Sequence, residues 1–303
     1  MAARRTSRRG RGLLRFSMTN TSESSRRLVI ITGASEGLGR DLAACYAEAG
    51  FDLMLIARRQ ELLMSLASEV TARYRVQCQV LAADLTRAEE RDRVLHDAAG
   101  ERARLFGLVN NAGIGTHGWF HELPMERQQA LIDVNVSALT HLSAGVLPWL
   151  RENGRGHIMN MASVASFQPG PLMATYYASK AYVLSLSEAL DNECRGSGVT
   201  VSAVCPGPTR TGFARAAGLP PNAPAGGAPA MSSADVARMA FRGTMAGKRV
   251  IVTGFRNKVA VFIGRHFPRA VTAELVRGIQ MRRLLAKGSS TGSTGGTGGT
   301  SRP

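Results

Sequence analysis

The chain has 303 residues, 44% of them hydrophobic, which is enough to bury the core of one large α/β domain. Lys and Arg outnumber Asp and Glu by 38 to 22, but eight of the arginines (4, 5, 8, 9, 11, 15, 26 and 27) fall in the first 27 residues against one acid, Glu23. Only Phe16 interleaves them as an aromatic, so nucleic acid is not an expected partner; four scattered cysteines without a CxxC pair exclude a disulfide scaffold and a zinc module, and no run of about 18 apolar residues exists to cross a membrane.

In chain order, residues 1–26 show no apolar periodicity and are expected to form a disordered basic extension. Two readings stand for residues 1–17, which are rich in Arg and Ser and lack acids: an organelle transit peptide, or chain upstream of a start at Met18. An apolar run over 28–31 suits a strand buried on both faces. A glycine-rich turn follows, then a helical pattern through Leu42, Ala43, Tyr46 and Ala47 that ends at Gly50. "FDLMLIA" is a second strand, "ELLMSLASEVTARY" a helix, "VQCQVLAADL" a third strand, and residues 88–102 a further helix. "LFGLVNNAG" is a fourth strand ending in a turn. Helices over 125–150 and 175–195 precede the fifth strand, "GHIMNMAS", and the sixth, "GVTVSAVCPG". "SADVARMAFRGTMAG" is a helix with a Ser cap, and "KRVIVTG" is a seventh strand.

This alternation predicts an α/β fold over residues 27–254: a single Rossmann-type, doubly wound parallel sheet of seven strands with helices on both faces. A ligand then belongs at the carboxyl ends of the strands. A basic amphipathic helical extension over 255–286 and a flexible Gly/Ser/Thr tail over 287–303 follow.

The turn after the first strand reads "TGASEGLG", with Gly33, Gly37 and Gly39 at the strand–helix junction. Glycines there let backbone N–H groups approach a pyrophosphate at the helix N-terminus. The spacing GxxxGxG differs from the common GxGxxG fingerprint. With "NNAG" at 110–113, Asn135, Ser163, "YxxxK" at 176–180 and "PG" at 206–207, in that order, the chain resembles the short-chain dehydrogenase/reductase family over roughly residues 27–254, and within it the DltE-like subgroup of bacterial reductases.

The resemblance implies a nicotinamide cofactor cradled by Gly33, Ser35, Glu36, Gly37, Leu38 and Gly39. Asp84 and Leu85 would lie at the adenine, Asn111, Ala112 and Gly113 beside the adenosine half, and Pro206, Gly207, Thr209 and Thr211 at the nicotinamide. The second strand ends "LIARRQ": no carboxylate stands where NAD enzymes bind the ribose, and Arg58 and Arg59 follow at once, which favours the 2′-phosphate of NADP(H). Glu36 departs from the family's NADP users, many of which carry a basic residue in this turn.

Three tyrosines crowd "ATYYASKAYV". On a helix Tyr176 and Lys180 stand one turn apart, whereas Tyr177 has Ala181 and Tyr182 has Leu186 at that spacing. A phenol of pKa about 10 needs a neighbouring ammonium to exchange protons near neutrality, so Tyr176 is the expected general acid/base, with Lys180 tuning it and binding the ribose. The resemblance adds Ser163 as the group that holds the substrate oxygen and Asn135 as a residue that kinks its helix. His117 and His121 have metal-like spacing but no third ligand in reach, and no metal is expected.

The Pro-, Gly- and Ala-rich stretch between "PTRTGF" and "SADVARM" is expected to be a substrate lid or disordered. The basic extension is read either as a contact to a membrane surface or cover for the pocket, or as a helix packed on the domain or a partner subunit. Apolar residues on more than one face of the helices around the serine strand predict a homodimer or homotetramer. The reading is an NADP(H)-dependent, cytoplasmic oxidoreductase acting on a small carbonyl or alcohol substrate; the alternative is an inactive NADP-binding regulator.

Overall fold

The computed structural model describes residues 4–5, 14–16, 26–219 and 230–291. The rest of the basic extension, the middle of the Pro- and Gly-rich stretch (220–229) and the end of the tail (292–303) lie outside the described residues. The strands are β1 (Arg4–Arg5), β2 (Leu14–Phe16), β3 (Leu28–Thr32), β4 (Asp52–Ala57), β5 (Cys78–Ala82), β6 (Leu105–Asn110), β7 (Gly156–Met161), β8 (Val199–Cys205), β9 (Thr209–Arg210), β10 (Met231–Ser232) and β11 (Val250–Val252). The helices are α1 (Gly37–Glu48), α2 (Gln60–Tyr74), α3 (Ala88–Ala99), α4 (Met125–Ile132), α5 (Leu139–Glu152), α6 (Ala174–Glu193), α7 (Phe213–Ala216), α8 (Ser233–Met245), α9 (Phe255–His266) and α10 (Arg269–Thr291).

Seven parallel strands run in the order β5-β4-β3-β6-β7-β8-β11. This is the doubly wound sheet that the alternation of strand and helix dictates. Every residue of β3 and β4 is buried, as continuous apolar runs require when helices cover both faces. Successive side chains divide between the faces. Val29 and Ile31 pack with Leu42 and Tyr46 of α1, Leu66 of α2 and Ala240 of α8. Leu28 and Ile30 pack with Val94 of α3 and with Leu142, Val146 and Leu150 of α5.

Two features depart from the sequence expectations. Within the extension expected to be disordered, β2 pairs antiparallel with β5 and β1 with β2, extending the sheet beyond its seven parallel strands. The reason is local: β5 is otherwise an edge with unpaired backbone groups, and Leu14 buries its side chain there, to 5% exposure. At the other end α10 continues past residue 286 to Thr291, because extending a formed helix costs less than starting one.

Met125–Glu152 is helical throughout and, among the described residues, is the segment long and apolar enough to span a membrane. Here its apolar stripe, Leu131, Leu139, Leu142, Val146 and Leu150, is buried in the protein. The stretch is not a plain α-helix: Asp133–Ala138 widens into a π turn between α4 and α5, an insertion that bends a helix and often marks a functional position.

Candidate active site

A cleft of about 1300 Å³ opens over the carboxyl ends of the parallel strands. Every residue assigned to the cofactor lines it: Ser35 and Leu38 with the three glycines, Arg58 and Arg59, Asp84 and Leu85, Asn111 to Gly113, and Pro206, Gly207, Thr209 and Thr211. The sheet does this by itself, since each of these groups follows a different strand and all strands end on one side.

The glycine turn fits a pyrophosphate. Gly33 has φ +64°, left-handed backbone that suits glycine. A Cβ on Gly39 would stand 2.2 Å from the Gly33 carbonyl oxygen, so helix α1 can start this close to β3 only with glycine there. Asn111 braces the same turn from β6: its Nδ2 donates to the carbonyls of Thr32 (3.0 Å) and Gly33 (3.1 Å). The Thr32 hydroxyl accepts from the N–H of Asn111 and of Ala112. Asn111 therefore acts on the cradle rather than reaching into it. Asp84 closes a tight turn, its Oδ1 accepting from the Thr86 N–H and hydroxyl. The hydroxyl of Thr209 donates to the Gly207 carbonyl, and that of Thr211 accepts from the Phe213 N–H, so both shape the loop after β8.

The two arginines have different neighbours. Arg59 pairs with Glu36 at 2.8 Å and donates to the Ser35 hydroxyl at 3.2 Å, so Glu36 is its counter-ion on the cleft wall. Arg58 is exposed on the cleft wall.

Ser163, Tyr176 and Lys180 come together where β7 ends and α6 begins. Ser163 caps a short 3-10 turn, Val164–Phe167, by accepting the Ala165 N–H at 3.1 Å; Ser166 returns the bond to the Ser163 N–H, which holds the serine in one place. The phenol of Tyr176 hydrogen-bonds to Ser163. Burial pushes that phenol up to about 12, and the bond to Ser163 works against the shift. Lys180 is 5% exposed; its Nζ donates to the Met161 carbonyl at 2.6 Å and lies 5.9 Å from the Tyr176 ring centroid. Burial pulls this ammonium down to about 8. The ammonium faces a carbonyl, and desolvation sets the direction of the Tyr176 shift.

Asn135 sits in the π turn and is 1% exposed, behind the cleft rather than on its wall. Its Oδ1 accepts from the Ile114 N–H, and its Nδ2 donates to the Ile114 carbonyl and the Ser179 hydroxyl, each at 3.0 Å. It ties the loop after β6 to the helix that carries Tyr176 and Lys180, which makes it a positioning residue. His117 is buried whereas His121 is exposed beside Glu122 at 3.7 Å. Among the described residues no group of three or more His, Cys, Asp or Glu could hold a metal.

The far wall agrees with the reading of the basic extension as cover for the pocket, but the sequence did not name the residues that form it. Ile263 of α9 and Val276, Ile279, Gln280 and Arg283 of α10 line the cleft, as do Tyr177 and Phe213. Nothing local signals this, because the extension's helical pattern says which residues are apolar and not what they face. Tyr177, whose hydrogen bond runs to Gln280, is a wall residue for the same reason.

A sequence profile described as short chain dehydrogenase matches residues 27–220. Sulfoacetaldehyde reductase 2 of Chromohalobacter salexigens is 37% identical over 188 residues, 61% of this chain and 74% of that protein. The very-long-chain 3-oxoacyl-CoA reductase of Laccaria bicolor is 33% identical over 178 residues, 57% of this chain and 52% of that protein, so the match spans about half the length of this curated relative. A short-chain dehydrogenase from Sphingobium yanoikuyae, solved in complex with NADPH, superposes with a TM-score of 0.70 at 35% identity, covering 78% of this chain and 92% of that one. A short-chain dehydrogenase/reductase from Burkholderia phymatum, solved with NAD, gives a TM-score of 0.71 at 26% identity with coverages of 78% and 92%. With the parallel sheet, the glycine cradle and the Ser163, Tyr176 and Lys180 cluster inside the matched segment, the chain belongs to the short-chain dehydrogenase/reductase family of nicotinamide-dependent oxidoreductases.

Proposed function

We propose that the protein is an NADP(H)-dependent carbonyl reductase or alcohol dehydrogenase. The observation that carries the reading is the cluster of Ser163, Tyr176 and Lys180 on the wall of the cleft that also holds the glycine cradle. The bound cofactor would supply or accept a hydride at the carbonyl carbon. The Ser163 hydroxyl, fixed by its cap, holds the substrate oxygen. Tyr176, a phenol protonated at neutral pH and held more firmly so by burial, gives its proton to that oxygen during reduction and takes one back during oxidation. Lys180 in its ammonium form, 5.9 Å from the Tyr176 ring centroid, places a positive charge near the phenolate left behind. An intact Ser, Tyr and Lys set speaks against an inactive regulator. The names of the relatives, a reductase of sulfoacetaldehyde and a reductase of a 3-oxoacyl-CoA, fit carbonyl–alcohol chemistry.

The test is oxidation of NADPH by the purified protein with ketosteroids, acyl ketones and quinones. Tyr176→Phe should abolish turnover yet keep NADPH binding, and Tyr177→Phe should be mild. Equal loss in the two variants would sink the assignment of the proton donor.

The surface supports two partners. Thr140 of α5 and Tyr182 of α6 hydrogen-bond at 2.9 Å on an exposed face that also carries Ile132 at 38% and Tyr182 at 39% exposure, a patch suited to pairing with a second copy. On α9 and α10, Phe255, Phe262, Val271 and Leu275 are more than half exposed and Arg256, Lys258, Arg265, Arg269 and Arg277 stand among them, a surface suited to anionic lipid. Both contacts are compatible with a cytoplasmic enzyme that touches a membrane face.

A further inference from the structure

A polar chain runs along the far wall of the cleft, away from the cofactor cradle. Gln280, 2% exposed, donates from Nε2 to the Tyr177 hydroxyl at 3.4 Å and accepts at Oε1 from Arg283 at 3.3 Å. Tyr177 is the residue after the proposed acid, and its ring stands edge-on to that of Tyr176 with centroids 6.1 Å apart. Its position depends on Gly170: a Cβ there would lie 2.1 Å from the Tyr177 ring, so no side chain could occupy that space. Val276 and Ile279 of α10 add apolar surface to the same cleft.

Arg283 is half-buried on this wall. Burial pulls the Arg283 guanidinium below its usual range, with Tyr177 acting in the other direction. A helix that had only to cover the cleft would do so better with Leu or Met at this position. The guanidinium is planar and carries five donors, and Gln280 fixes its orientation through Nη1, which is the arrangement that receives a carboxylate or a similar oxyanion.

We propose that Arg283 is an anion-recognition residue of the substrate pocket, and that the substrates are carbonyl compounds, or the corresponding alcohols, with an apolar body and a carboxylate or sulfonate at the end opposite the reacting carbon. This rests on the carbonyl-reductase reading above. Gln280 and Tyr177 position the guanidinium, so the anion site and the proton donor share one short stretch of wall.

Para-acetylbenzoate and its methyl ester test this, because they share a ketone and a ring and differ in one charge. The acid should exceed the ester in kcat/KM by about tenfold or more, the worth of one charge-assisted hydrogen bond. Arg283→Gln should bring the acid-to-ester ratio close to one, and Arg283→Lys should restore part of it. Calorimetry of both probes, with and without NADP+, reads the same ratio as affinities and does not depend on turnover. A wild-type ratio near one, or a ratio that Arg283→Gln leaves unchanged, overturns the proposal. Failure of the wild type to bind NADPH counts against the underlying reading instead, while the probe affinities still decide the role of Arg283.

Discussion

Arg59 and Glu36 form an ion pair at the edge of the glycine turn. A 2′-phosphate held by one guanidinium gains roughly 1.5–3 kcal/mol, about 10- to 150-fold in affinity. Arg58, exposed on the cleft wall, and Arg59 are the two groups that can supply this. NADPH should therefore bind more tightly than NADH, with a gap that shrinks at high salt. Arg58→Ala should remove most of the gap while leaving NADH nearly unaffected. Glu36→Gln should widen it by about twofold to fivefold, since it removes a carboxylate that competes with the phosphate for Arg59. Titration of both cofactors into the wild type and these variants checks this, and a wild type that prefers NADH refutes it. Lys180 sets a second expectation at this scale. In the proposed reaction it acts in its ammonium form, and burial lowers its pKa to about 8, so kcat/KM for reduction should fall as the pH rises through that value, as a pH–rate profile would show.

At the scale of elements, α1 is bolted to β7 by a buried pair: the Tyr46 hydroxyl and His157 Nε2 are 2.7 Å apart, with the two rings stacked at 5.5 Å. Burial lowers the His157 pKa from 6.5 to about 4. The unfolded chain thus takes up this proton first as the pH falls. The pair's full contribution is present above pH 6.5 and is lost on the way down to about 4. Between about pH 7 and pH 5 this should cost about 2 kcal/mol of stability. His157→Gln keeps an acceptor for Tyr46 and should flatten that part of the curve; urea unfolding at the two pH values checks it, and an unchanged slope would count against the pair. The elements themselves were legible from the chain. Continuous apolar runs in β3 and β4, helical spacing in α1 and α2 and the glycine punctuation between them are local signals, and they predicted the alternation of strand and helix that gives a parallel sheet. The edge strand β2 was not legible, because a stretch so rich in arginine becomes a strand only when β5 offers it an open edge.

For the whole molecule, the exposed faces predict how it associates. The α5–α6 face carrying Thr140 and Tyr182 should hold two copies together, so light scattering at micromolar concentration should report a dimer or tetramer. Phe255→Ser with Phe262→Ser should reduce co-sedimentation with anionic vesicles and leave that mass unchanged. Loss of the oligomer in the double variant would instead make α9 a subunit contact, and a wild type that ignores anionic vesicles would end the lipid reading.

The sequence by itself determined the fold class and the glycine turn, and it singled out Tyr176 as the proposed proton donor, because each rests on spacing along one strand–turn–helix unit or one helix face: Gly33 to Gly39, Tyr176 to Lys180. Tertiary structure alone decided what surrounds them. Lys180 faces the Met161 carbonyl rather than the phenol, Asn135 holds Ile114 and Ser179 from behind the cleft, and Glu36 meets Arg59. Arg283 reaches the cleft although 103 residues separate its neighbours Gln280 and Tyr177 in the chain. Contacts at such separations are set by how helices pack on the sheet, and the polarity and electrostatics of the site follow from the burial that packing imposes.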